Sequence, residues 1–277
     1  MITVQRVAAL LVLILLGYLP FHAIAAASKR VDLRMVMYMA GMTAGTMSLS
    51  VEFNDDDAVS RLKLKSKGLL KLMTGYQGKS QSRSMLPDHE PPMPISYDSA
   101  YETNKYDRKV VIRYDPEDGD ITELRTWKRG KPRSSKVPER LRLATIDPLT
   151  AMLQFRYWLL DVRAGRSVSD HRVFEIFDGR RRYRLRVEIL DRGEVTFDGK
   201  SVDAFRLKVV MEAMAGFSTK DMLARWSSEN GERWIELFVT DDDSPSPLSL
   251  ETKGGALKTK ILLRKACTDQ TCVKFNS

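Results

Sequence analysis

From Leu33 onward the chain alternates. Residues Leu33, Met35, Met37 and Met39 are apolar, Gly41 to Gly45 supplies a turn, and Met47, Leu49, Val51 and Phe53 then alternate with Ser48, Ser50 and Glu52. A period of two with one apolar side marks a half-buried strand, so the pattern predicts strand, turn, strand. Asn54 to Asp57 reads as the next turn, and Arg61-Leu62-Lys63-Leu64-Lys65 as a half-exposed strand. Gly68 to Met73 fits a short helix or a bent strand equally well. Residues 77–100, polar and proline-bearing, read as strand mixed with a long loop. Lys109–Tyr114 and Ile121–Trp127 flank a turn, and Lys128 to Lys136 reads as a basic loop. Further on, Asp178-Gly179 and Asp198-Gly199 each separate two apolar runs, a strong hairpin signal. Arg233–Thr240 and Leu257–Arg264 add strands. Hairpins in succession predict an antiparallel sheet of roughly ten or more strands. No internal repeat and no linker divides the chain.

One segment breaks the period. Asp147-Pro148 pairs a capping carboxylate with a proline suited to the first helical position, and a helix follows from Leu149 to Val162. Leu149, Met152, Leu153 and Leu160 form one apolar stripe. Ala151, Phe155, Trp158, Leu159 and Val162 form another, and Thr150, Gln154, Tyr157 and Asp161 keep to a narrow polar row. A helix apolar over most of its circumference must be covered on most sides. The predicted fold is therefore mainly β: a large curved antiparallel sheet, half-barrel or spiral and β-barrel-like, wrapped around one central apolar α-helix. Leu149, Met152, Leu153, Phe155 and Trp158 are the candidate core-helix or ligand-contacting residues. A lid helix and a membrane-surface helix are the alternatives; the second usually has a basic polar face, which this row lacks.

The N-terminus changes the setting. Arg6 precedes an apolar run from Val7 to about Leu19, and Ala23-Ile24-Ala25-Ala26-Ala27 follows. Basic start, short apolar centre and small-residue end are the parts of a secretory signal, assigned to residues 1–27, with a single mainly-β domain over 28–277. The run is short for a bilayer core of about 30 Å, which argues against a retained anchor, so the mature chain is not expected to be an integral membrane protein. With no twin arginine, the general secretory route into the periplasm is expected. Cys267 and Cys272, the two cysteines of the chain, fit an oxidising compartment and are expected to form a structural disulfide. Their spacing speaks against a redox pair, and the lack of nearby histidine against zinc.

Composition is globular, with 43% hydrophobic and 29% charged residues. Net charge is +9, or +8 once Arg6 leaves with the signal. In an exported chain such a balance points to anionic lipid or wall polymer rather than to nucleic acid. Arg180, Arg181 and Arg182, with Lys128, Arg129 and Lys131, are the candidate anionic-surface contacts; an ordinary solvated face is the competing explanation. Met35, Met37, Met39, Met42 and Met47 suit an adaptable apolar surface or plain core filling.

Catalytic signatures are sparse. Five residues, not the required four, separate Gly193 from Gly199-Lys200-Ser201, so a phosphate loop is unsupported. His89 and His171 are the histidines left after the signal, and no H-E-x-x-H or G-x-S-x-G occurs. Ser169-Asp170-His171 has triad residue types, but neighbours on a strand point to opposite faces, which leaves only a triad with a distant serine. No cofactor and no metal site is expected.

Tyr38, Gly41 and Gly45, then Ile146-Asp147-Pro148-Leu149-Thr150-Ala151-Met152-Leu153, then Phe177-Asp178-Gly179-Arg180-Arg181-Arg182-Tyr183, and a late strand from Trp234 through Asp241 and Pro247 to Leu250, occur in this order. In these pieces the chain resembles the bacterial exported family known as domain of unknown function 3108. The resemblance implies an envelope location and a mainly antiparallel β fold, and carries over no catalytic residues. At fold level it is similar to half-barrel periplasmic carriers of lipoproteins, an analogy that assigns no function. The first expectation is a non-enzymatic periplasmic protein that supports the envelope by binding a partner protein, wall polymer or lipid. A soluble carrier of a lipid or lipoprotein acyl chain is the alternative, and a hydrolase the third. The exported protein is predicted to begin near Ala26 or Ser28; N-terminal sequencing that returns Met1 refutes the signal.

Overall fold

A computed structural model describes residues 29–88, 90–218, 233–254, 258–269 and 271–276. The expected signal and His89 lie outside the described residues. The first half is a run of hairpins: β1 (Arg30–Met39), β2 (Met42–Phe53), β3 (Asp57–Ser66), a short helix α1 (Gly68–Thr74), β4 (Gln77–Met85), β5 (Met93–Glu102), β6 (Asp107–Tyr114), β7 (Ile121–Lys128) and β8 (Lys131–Arg133). A 3-10 turn at Glu139–Leu141 leads to helix α2 (Pro148–Arg163). Then follow β9 (His171–Phe177), β10 (Arg182–Phe197), β11 (Lys200–Ala215), β12 (Trp234–Thr240), β13 (Pro247–Lys253), β14 (Thr259–Thr268) and β15 (Cys272–Lys274).

All of these strands join one antiparallel sheet in the order β8-β7-β6-β5-β4-β3-β2-β1-β14-β13-β12-β11-β10-β9, with β15 beside β14. The sheet bends back on itself. β5 and β10 stand nine places apart in that order, about 43 Å across a flat sheet at roughly 4.8 Å per strand. Yet Arg180, in the turn before β10, donates from Nη1 to the Tyr101 hydroxyl of β5 at 3.1 Å. Gly179 in the same turn has φ +87, and a Cβ there would collide with Val110 of β6. The two edges are handled differently. β8 is short and carries Lys131, Pro132 and Arg133, which discourage further pairing. β9 is partly covered by Ile146, which makes a parallel bridge to Ile176, with Ile146 N to Glu175 O at 3.0 Å and Phe177 N to Ile146 O at 2.9 Å.

That bridge delivers Asp147 to the start of α2. The Asp147 carboxylate is fully buried and accepts from the backbone N–H of Leu149 (2.9 Å) and Thr150 (3.1 Å), from Ser82 Oγ (3.0 Å) and from Thr150 Oγ1 (2.5 Å). With its proton committed to Asp147, the Thr150 hydroxyl accepts from Ser84 Oγ at 2.8 Å. Residues 77–100, which the sequence suggests are partly loop, form β4 and β5. β4 escapes the apolar pattern because its buried positions are Ser82 and Ser84, which sit opposite Ser60 and Ala58 of β3. These small residues let the polar N-terminus of α2 come down onto the sheet, where an apolar strand would leave its capping groups unpaired. The undecided segment 68–73 is helical, and Gly75 closes it in the left-handed conformation at φ 58, with its N–H on Lys71 O. Part of the expected basic loop is β8.

Two apolar clusters fill the interior. Leu149 and Leu153 of α2 join Val31, Leu33, Met35, Leu49, Ile112, Phe177 and Leu263 in one. Ala151, Trp158 and Leu159 join Phe174, Ile176, Val187, Phe205, Leu207 and Val239 in the other.

Burial holds the Asp147 carboxyl above its ordinary value near 3.8, against the pull of the Thr150, Ser82 and Leu149 hydrogen bonds. The folded state therefore binds this proton more tightly than the unfolded state, and the contribution to stability falls as pH rises through the folded pKa. Asp147→Asn keeps an acceptor for the two amides and is expected within about 1 kcal/mol of the parent at neutral pH. The parent should gain on Asp147→Asn as pH is lowered towards the unfolded carboxyl range. Pairs of opposite sign, such as Asp57 with Arg83, are common to both proteins and cancel. Asp147→Ala, which strands Ser82 and Thr150, is expected to cost about 2–4 kcal/mol. Urea unfolding across a pH series measures all three proteins; parallel pH profiles for the parent and Asp147→Asn refute the assignment.

Candidate functional site

The residues of α2 do not share one environment. Leu149, Leu153 and Trp158 are buried, and Phe155 is half-buried, its ring 6.1 Å from Trp158 and 6.5 Å from Phe174. Met152 is 39% exposed, outside the apolar stripe expected for it. It lies one turn before Arg156 and three turns before Arg163, on the side of the helix that reaches solvent. There Arg156 donates to Pro245 O at 3.3 Å, and Arg163 pairs with Asp241 and Asp243 in the β12–β13 connection. The first part of the polar row turns inward instead: Thr150 meets β4, and Gln154 Nε2 donates to Pro92 O at 2.8 Å, whereas Asp161 stays at the surface, paired with Arg166.

The arginine run is also absorbed. Arg180 and Arg181 donate their backbone N–H groups to Asp178 Oδ1. The Arg180 side chain bonds Tyr101, Arg181 lies 5.4 Å over the Phe217 ring, and Arg182 pairs with Glu175 at 3.1 Å while donating to Leu141 O. These contacts tie the curled hairpin to its neighbours. Asp170 and His171 are exposed and Ser169 is half-buried, and both Ser169 Oγ (3.4 Å) and Asp170 Oδ1 (3.1 Å) approach the same imidazole nitrogen, Nδ1. A relay needs its serine and its carboxylate on opposite nitrogens, so this trio is not one. Cys267 and Cys272 are register partners on β14 and β15, with sulfurs at disulfide distance and Cα atoms 4.0 Å apart.

Uncommitted charge gathers at one end of the sheet, where β1, β3, β5, β7 and β13 finish. Lys128 lies 4.8 Å over the Tyr106 ring, Arg129 is exposed on the β7–β8 turn and Lys131 at the start of β8, with Arg129 Nη2 on Lys105 O at 3.3 Å. Lys105 belongs to the β5–β6 turn, whose Asn104 donates to Leu72 O in α1. Lys65, Lys67 and Lys71, on and beside α1, are exposed. A groove of about 450 Å³ opens at the same end, lined by Tyr38, Gly41, Glu251, Lys258, Lys260, Leu262 and Arg264. By strand alternation it lies on the outer face, away from the buried Leu33, Met35 and Leu263. Arg264 is fixed in it by Nη2 on the Tyr38 hydroxyl at 2.5 Å. Sequence reading misses this groove because β1 and β14 lie at opposite ends of the chain and meet only through their register, Tyr38 opposite Lys260. Among the described residues no three His, Cys, Asp or Glu side chains gather as for a metal ion, and no helix is long and apolar enough to cross a membrane.

The family model described as "Protein of unknown function (DUF3108)" matches residues 34–261. No curated protein matches. Among solved structures, the chain is similar to a β-barrel-like protein of domain of unknown function DUF1849 from Brucella abortus, at 12% identity and a TM-score of 0.50, covering 89% of this chain and 100% of that one. A second likeness, to a protein of Parabacteroides distasonis described as a "putative lipoprotein", has 11% identity and a TM-score of 0.30 over 86% of this chain and 94% of that one, too low to carry an argument. The first supports a β-barrel-like fold and nothing about activity.

The two groups of cations should respond differently to truncation. Arg182→Ala removes an arginine placed between Glu175 and a carbonyl and is expected to cost about 1–3 kcal/mol. Lys131→Ala, on an exposed edge, is expected within about 0.5 kcal/mol of the parent. Chemical denaturation distinguishes them; equal effects would refute the internal role of Arg182.

Proposed function

Because the chain belongs to the DUF3108 family, described only as of unknown function, we propose its role from geometry: a non-enzymatic protein of the periplasm that binds an anionic envelope component, a headgroup or a wall polymer, through its basic end. The observation that carries this reading is the outer groove with Lys258, Lys260 and Arg264 facing a single acid, Glu251. Glu251 is itself engaged by Lys253 at 3.4 Å. A cleft that places three cations around an aromatic and a leucine suits a phosphate or carboxylate group attached to apolar material.

In the same proposal the sheet curves round α2 as a filled scaffold. The space that a carrier would offer an acyl chain is taken by Leu149, Leu153, Trp158 and Leu159, each at most 5% exposed. This packing favours surface binding over internal carriage. Export to the periplasm rests on the signal-like N-terminus.

The test is retention of the purified chain on immobilised polyphosphate. Binding should weaken as salt rises, since screening shortens the reach of exposed charge. The variant Lys258→Gln/Lys260→Gln/Arg264→Gln should bind more weakly by roughly fivefold per cation removed. Retention by the parent that ignores salt, or an unchanged triple variant, refutes the reading.

A further inference from the structure

Helix α1 is built without a core contact. None of its residues is buried, and Leu69, Leu72 and Met73 are 58%, 78% and 69% exposed, beside Met42 at 59% at the start of β2. It is held in place by its backbone instead. Lys67 N donates to Ala44 O at 2.8 Å, Gly75 N to Lys71 O at 2.8 Å, Asn104 N to Thr74 O at 2.9 Å and Asn104 Nδ2 to Leu72 O at 3.2 Å. Gly75 is required for this seat, because a Cβ there would collide with the Asn104 side chain. The result is a rigid apolar knob aimed at solvent, where a soluble surface gains nothing from leucine.

The surroundings of the knob define what it would meet. Lys65, Lys67, Lys71 and Lys105 are exposed round it and make no ion pair among the described residues, while Glu102 and Asp107 are the exposed acids on the adjoining turn. Glu102 accepts from Gln77 at 3.1 Å. Tyr76, Tyr101 and Tyr106 cluster just behind, with ring centroids 5.7 and 6.3 Å apart. Exposed leucine and methionine, lysines beside them and half-buried tyrosines close by are the residue types that meet a membrane interface. We propose that α1 and Met42 dock this end of the protein onto an anionic phospholipid bilayer, with Leu69, Leu72 and Met73 entering the interface and the lysines contacting lipid phosphates. This deepens the reading above by naming a membrane as the anionic component.

The experiment uses the chain from Ser28 onward, which contains every described residue and lacks the apolar leader. Co-sedimentation is measured with vesicles of phosphatidylcholine alone and of phosphatidylcholine with phosphatidylglycerol. The parent should bind the anionic vesicles, and Leu69→Gln/Leu72→Gln/Met73→Gln, which keeps good helix formers, should bind them at least tenfold more weakly. The same variant should keep the parent's melting temperature and its salt-dependent retention on polyphosphate. Lys67→Gln/Lys71→Gln should lose roughly fivefold per lysine on anionic vesicles. Vesicle binding that is absent from the parent, or unchanged in the apolar variant, overturns the membrane proposal while polyphosphate retention leaves the anion-binding reading standing. A dimer of the parent that the apolar variant abolishes, with no vesicle binding, overturns it in favour of a second copy.

Discussion

The fold depends on how one carboxylate is buried. Asp147 has no exposure and sits where the β9 edge, the N-terminus of α2 and the face of β4 meet. Unpaired, such a group would cost several kcal/mol. Here its donors are two helix amides, which need an acceptor in any case, and two hydroxyls from residues too small to hold the helix away. The hydroxyl contacts specify where along β4 the helix starts, since Ser82 and Ser84 lie two residues apart on one face. Apolar packing in both clusters fixes the rest of α2.

Residues of α2 join both apolar clusters, and strands from the two halves of the sheet contribute to the first of them. The closure is tight where the β9–β10 turn meets β5 and β6. Gly179 leaves room for Val110, and Gly216 at φ +79 leaves room for the carbonyl of Arg180 and the side chain of Val137. Arg180 to Arg182 are consumed at this seam, which is why a run that looks like a basic patch on paper supplies little open charge.

How much of this the sequence discloses depends on the range of the interaction. Hairpins with a period of two and Asp-Gly turns are local, and β1–β3, β6–β7 and β9–β11 are legible from their residues alone. So is α2, because Asp147-Pro148 both starts and caps it. β4 is not, since a strand whose buried face is serine has no hydrophobic signal and makes sense only beside Thr150, some seventy residues away in a contact the alternation rules do not describe. Met152 is misplaced for a related reason: helical spacing gives the stripe, but only the ion pairs of Arg163 with Asp241 and Asp243 show which side is left open. The groove of Tyr38 and Arg264 depends on the pairing of β1 with β14, which no local pattern announces.

The division of labour between the two kinds of cation connects fold to surface. Among the described residues, the ion pairs to Asp and Glu use arginines almost throughout: Arg30, Arg61, Arg83, Arg113, Arg125, Arg163, Arg166, Arg182, Arg184, Arg186, Arg192 and Arg206 each hold an acid, with Lys253 as the lysine that does. The planar guanidinium suits fixed pairs between neighbouring strands, whereas the ammonium is a strongly hydrated point charge on a flexible stem. The acids are thus spent on arginines that knit the outer face, as where Glu236 takes both Arg206 and Lys253 and, although burial works against it, is held below the ordinary carboxyl range. What remains of the net positive charge is shared by lysines and by arginines such as Arg129 and Arg264, and around α1 it is lysines that stand beside exposed leucines. Lysine in that setting keeps its charge in water while its stem lies along apolar surface. The same allocation that stabilises the sheet leaves exposed lysines beside exposed leucines at one end of it.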